Sequence, residues 1–161
     1  VTVSAVVSNL FSQELISEDQ FSALSTCDRG ALISILLRAA PAGNRDPHEG
    51  YTVHGSEGLL HVDRGSKTIV VMRGSTRSEV PVDPELLRED GFQRLHRLFR
   101  DAILSDGPVP LDGAIAQRNL EWGLGTYLSS ETGRRMALPL DPEHGDYAGP
   151  VNQRTIPATR A

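Results

Sequence analysis

Apolar and polar positions alternate in two stretches near the start of the chain. In TVSAVVS (2–8), Val3, Ala5 and Val7 share one face, and in QFSALSTC (20–27), Phe21, Ala23 and Ser25 stand opposite Ser22, Leu24 and Thr26. A period of two over such a length predicts half-buried β-strands. Asp28-Arg29-Gly30 then supplies a turn with a glycine free to take positive φ. ALISILLR (31–38) is apolar almost throughout, as in a strand with something packed on each side. The loop 39–50 is rich in Pro, Gly, Asn and Asp. In YTVHGSEGLLHV (51–62) two apolar runs flank Gly55-Ser56-Glu57-Gly58, which reads as a tight β-hairpin. After DRGSK come TIVVMR (68–73) and the weaker run SEVPV (78–82), an expected edge segment because Pro81 cannot donate to a ladder.

The period then changes. Asp83 with Pro84 predicts an N-cap and first helical position for a short helix over 83–90. In GFQRLHRLFRDAILSDG, Phe92, Leu95, Leu98, Phe99, Ala102 and Ile103 occupy one arc of a helical wheel, with Gln93, Arg94, Arg97, Arg100 and Asp101 on the other. A second helix is expected over 111–133, capped by Asp112 and stopped by Gly133. Its apolar stripe is Leu120, Leu124, Tyr127 and Leu128, with Leu124 at the centre. Gly123 and Gly125 inside it each cost about 1 kcal/mol relative to Ala, so the helix needs tertiary contact, and the glycines would allow close approach to a sheet. After MALPL (136–140) the composition turns to Pro, Gly and polar residues. The expected organisation is one domain over 1–140 and a weakly ordered tail over 141–161. Strands first and helices later predict an α+β fold. It is an open, mostly antiparallel sheet with helices packed on one face, and the other face is available for oligomerisation.

Composition narrows the chemistry. The chain has 161 residues, 39% apolar and only 5% aromatic, so its core is built mainly of Leu, Val, Ile and Ala. The formal net charge is −5, which gives no general affinity for nucleic acid or an anionic membrane. Among sixteen basic residues Lys67 is the sole lysine, a bias read as genomic. Cys27 has no partner for an internal disulfide and sits in an apolar run as a small hydrophobe. There is no run of 18 apolar residues and no charged opening followed by an apolar segment, so neither a membrane span nor a secretion signal is expected. The expected location is the cytoplasm.

No G-x-G-x-x-G, P-loop or G-x-S-x-G occurs. His48, His54, His61, His96 and His144 form no H-x-x-x-H or H-E-x-x-H pair, and no metal is expected. His54 and His61 straddle the hairpin as strand histidines. Glu18-Asp19 and Glu89-Asp90 read as loop and helix-end charges, and Arg94, Arg97 and Arg100 as a solvated helix face.

The order of elements says more. SEDQFSALSTCDRGALISILLR precedes the Gly-Ser-Glu-Gly hairpin. After it stand an amphipathic helix ending F-x-D-A-I, a loop with G-x-x-P, an Asp-capped helix ending S-S-E-T-G-R-R, and L-P-L. From residue 1 to about 140 this succession resembles the C-terminal domain of the glucose-fructose oxidoreductase/inositol dehydrogenase/rhizopine catabolism (Gfo/Idh/MocA) family. The hairpin and the S-S-E-T-G-R-R helix at this separation are its most specific parts.

The resemblance implies part of a two-domain oxidoreductase acting by hydride transfer on a sugar, cyclitol or related polyol. NAD or NADP would be bound by an N-terminal Rossmann domain not present in this chain. The family's acid/base Lys lies in an E-K-P motif, which this sequence lacks. Its catalytic Asp and His come just before the strand that here is TVSAVVS. No catalytic, cofactor or metal residue is therefore assigned, and the start at Val1 agrees with an excised or split piece. The resemblance places the loop before the hairpin near the substrate, so Arg38, Asn44, Arg45 and His48 are assigned to substrate binding by location. The implied partners are a Rossmann domain, the chain's own or a separate one, a sugar-like small molecule, and further copies in a homo-oligomer. The alternative is a non-catalytic interaction subunit that dimerises or docks onto a separate Rossmann-bearing protein.

Overall fold

The computed structural model describes residues 1–9, 18–38, 49–63 and 66–141. Eight strands, two α-helices and one 3-10 turn follow in the order β1 Thr2–Ser8, β2 Gln20–Thr26, β3 Leu32–Arg38, β4 Gly50–Gly55, β5 Gly58–Asp63, β6 Thr68–Arg73, β7 Thr76–Pro81, the 3-10 turn Pro84–Leu87, α1 Gly91–Ser105, α2 Gly113–Thr132 and β8 Met136–Ala137. This is an α+β arrangement of open antiparallel sheets, as the succession of periods predicts. The strands divide into two four-stranded sheets, β3-β2-β1-β8 and β4-β5-β6-β7. The chain forms two compact units, Val1–Pro41 with Leu111–Ala161, and Ala42–Pro110.

In the first unit the registers Val3↔Ser25, Ala5↔Ala23 and Val7↔Phe21 put the expected alternating residues on one face. That face carries the core, since Val3, Ala23 and Ser25 are buried. α2 packs on it. Gly125 is what lets the helix come so close. A Cβ there would stand 3.0 Å from Val3 Cγ1 and 3.1 Å from Leu138 Cδ2, tighter than ordinary contact, whereas one at Gly123 would meet open space. The helix therefore turns Trp122, Gly125 and Ser129 to the sheet. Trp122 donates from Nε1 to Ser25 Oγ at 2.7 Å and meets Phe21 edge-on, ring centroids 6.2 Å apart.

This differs from the stripe expected on α2. Leu128 is 4% exposed and belongs to the core, but Leu120 is 64% exposed and Leu124 is only half-buried. A wheel drawn from apolarity alone weights the large residues. The approach of a helix to a sheet is instead governed by where its side chains are small.

β8 pairs only with Thr2 and Val3. Further along the same edge of β1, the serines of α2 take over the role of a strand. Ser129 Oγ accepts from Ala5 N at 3.0 Å, and Ser130 Oγ accepts from Val7 N at 2.9 Å. The open face of this sheet carries Val6, Leu24, Leu32 and Leu36, all exposed.

In the second unit, register separates two faces. Thr52, His61, Val70 and Glu79 lie in line on one, and Val53, Leu60, Val71 and Ser78 on the other. Pro81 closes β7 at the sheet's edge, the position a residue without an N–H can hold. Gly58 has φ +153° and faces the Met72 carbonyl so closely that any Cβ would collide with it. The last glycine of the Gly-Ser-Glu-Gly hairpin is thus fixed by backbone geometry. Asp83 caps the 3-10 turn through Glu85 N at 2.9 Å. The short helix expected over 83–90 ends there because Asp90 begins a new one, accepting from Phe92 N and Gln93 N at 2.8 and 3.0 Å. α1 buries Ala102 but leaves Phe92, Phe99 and Ile103 exposed. Its basic residues are largely paired. Arg97 binds Glu89 through two hydrogen bonds of 2.9 Å, and Arg100 binds Asp101.

Candidate functional site: the polar end of the first sheet

The register Ser8↔Gln20↔Arg38 brings the end of β1, the start of β2 and the end of β3 to one edge of the sheet. Polar groups converge there. Asn9 and Asp19 are buried, and Asp19 N donates to Ser8 O at 3.2 Å, closing the strand pair. α2 contributes Tyr127 from above. Its hydroxyl donates to the Glu18 carboxylate, and its pKa is pushed up to about 12 from 10.0, first by burial and then by the hydrogen bond and charge of Glu18.

The direction of that shift limits the chemistry. A phenol with so high a pKa stays protonated at neutral pH, so Tyr127 is a hydrogen-bond donor and not a base. Glu18 and Asp19, when ionised, are acceptors only. Glu18 is engaged by Tyr127, and Asp19 is buried beneath the edge. Among the described residues no group of three His, Cys, Asp or Glu could hold a metal ion.

Arg38 is at this edge. By strand alternation it lies on the open face with Ser34 and Leu36, opposite the face that α2 covers, and it is exposed. Asn44, Arg45 and His48 lie outside the described residues. The residues that the sequence reading does not assign to a site are Asn9, Glu18, Asp19 and Tyr127, of which Glu18 and Asp19 read as loop charges and Tyr127 as part of the α2 stripe. A signal was present for Asp19. It continues the Phe21–Ala23–Ser25 parity and so falls on the core face, where a solvated loop acid has no place.

The second unit holds a smaller polar group. Thr52 Oγ1 and His61 Nδ1 are 2.8 Å apart across β4 and β5, and His61 Nε2 is 2.9 Å from Asp63 Oδ1. His54 pairs with Leu59, not His61, so the two histidines do not stand directly opposite. At the other end of the hairpin, a cavity of about 320 Å³ is bounded by Val53, Leu60, Val71 and Arg73 around the bare Gly55–Gly58 pair.

No family model and no curated protein matches the sequence. Solved structures match in fold. The aldose-aldose oxidoreductase of Caulobacter crescentus superposes with a TM-score of 0.71 at 19% identity, over 86% of this chain and 41% of its own. A UDP-N-acetylglucosamine 3-dehydrogenase from Acidithiobacillus ferrooxidans gives 0.66 at 20% identity, over 82% and 40%. An oxidoreductase from Agrobacterium radiobacter, solved with NAD+, L-tartaric acid and magnesium, gives 0.64 at 19% identity, over 84% and 42%. The chain therefore has the fold of a portion of these proteins, and it spans about two-fifths of the length of each. The fold that the sequence resemblance implies is the fold found.

Proposed function

We propose that this chain is the substrate-binding and oligomerisation part of an NAD(P)-dependent oxidoreductase. The enzyme transfers a hydride between the nicotinamide and a carbinol carbon of a sugar, cyclitol or related polyol. The observation that carries the reading is the likeness in fold, over more than four-fifths of the chain, to enzymes named for aldose and amino-sugar oxidation. In this reading residues 1–140 act as one functional domain. The cofactor, NAD or NADP, is held by a Rossmann domain, the chain's own or a separate one. The substrate's hydroxyls meet the end of the first sheet at Glu18 and Arg38, and Asn44, Arg45 and His48, outside the described residues, are proposed to bind the same ligand. Carboxylates suit such a ligand because each hydroxyl can donate to them.

In this reading the enzyme works in the cytoplasm. No helix among the described residues is long and apolar enough to cross a membrane. Exposed Leu32 and Leu36 on the open face of the first sheet support self-association, since contiguous apolar surface usually marks an interface.

The test is an assay of the complete natural polypeptide, together with its Rossmann-bearing partner if that is a separate protein. Aldoses, cyclitols and nucleotide sugars are offered with NAD+ or NADP+, and reduced nicotinamide is followed by absorbance. Substrate-dependent reduction is expected with one class. Absence of reduction with all of them, together with absence of nicotinamide binding, overturns the proposal in favour of a non-catalytic interaction subunit.

A further inference from the structure

We draw no further inference here: the strongest candidate, the apolar face of the second sheet where Tyr51, Val53, Leu60 and Val80 are exposed beside the notch left by Gly55 and Gly58, is a surface for which nothing in the structure shows what covers it.

Discussion

The hydroxyl of Ser129 accepts a hydrogen bond from the backbone N–H of Ala5 at 3.0 Å and donates one to the carbonyl of Arg134 at 2.7 Å. One side chain thus completes the edge of β1 and holds the turn that ends α2. Beside it, Ser130 does the first of these jobs for Val7. The serine pair of S-S-E-T-G-R-R is therefore a substitute for a strand, placed where β8 has run out.

Ser129→Ala removes this link and leaves Ala5 N–H and Arg134 C=O without their partner in a part-buried setting. An orphaned buried polar group costs about 1–3 kcal/mol. Ser22→Ala, on the exposed side of β2, should change stability by less than about 0.5 kcal/mol. Urea unfolding of the two variants should give a clearly lower midpoint for Ser129→Ala. Equal midpoints would mean that water serves the edge of β1 as well as the serine does.

The two glycines of α2 should respond with opposite signs. Gly123→Ala places its methyl in open space and gains helix propensity of up to about 1 kcal/mol. Gly125→Ala gains the same propensity but drives Cβ to 3.0 Å from Val3 Cγ1 and 3.1 Å from Leu138 Cδ2. Overpacking of a core costs typically about 1–3 kcal/mol, so the sum is destabilising. Thermal unfolding of both variants decides it, and stabilisation by Gly125→Ala would show that the helix can back away from β1 at little cost.

Much of this was legible in the sequence because it follows from local rules. The strand faces of β1 and β2 come from period two, the caps at Asp83, Asp112 and Gly133 from side-chain and backbone chemistry, and the edge position of β7 from Pro81. What was not legible depends on distances between elements. Which face of α2 meets the sheet is set by Gly125 and Ser129 against Val3 and Ala5, residues more than a hundred positions away. The division of the strands into two sheets is likewise a matter of which edges pair, and β3 is as apolar as a central strand although it lies at an edge of its sheet. Of the candidate site, Arg38 is assigned from the loop it precedes, whereas Glu18 and Tyr127 meet only through the fold.

Leu128 and not Leu124 should carry the packing of α2. Leu128 is buried and its truncation leaves a cavity, for which about 2–5 kcal/mol is usual. Leu124→Ala at a half-buried position should cost less, and Leu120→Ala, on an exposed turn, about 0.5 kcal/mol or less. Chemical denaturation of the three alanine variants should rank them in that order. A Leu124 effect as large as that of Leu128 would return the centre of the contact to the stripe drawn from the sequence.

Tyr127 should make the fold sensitive to alkali. Its folded-state pKa of about 12 exceeds the ordinary value of 10.0, chiefly through burial and then through Glu18. For a group with a raised pKa, the folded state keeps the proton over a range in which the unfolded chain has lost it. Stability from this source is therefore complete below pH 10 and declines as pH rises from about 10 to about 12. Tyr127→Phe abolishes the titration, so the variant should lose less stability over that interval than the parent, whatever its stability at neutral pH. Two measurements check this on the same samples. Between pH 9 and pH 11 the urea midpoint of the parent should fall by more than that of the variant. The ultraviolet absorbance of tyrosinate in the folded parent should contain a late-titrating component that the variant lacks. Parallel midpoints, with no late component, would mean that Tyr127 meets solvent freely and that Glu18 does not hold its hydroxyl.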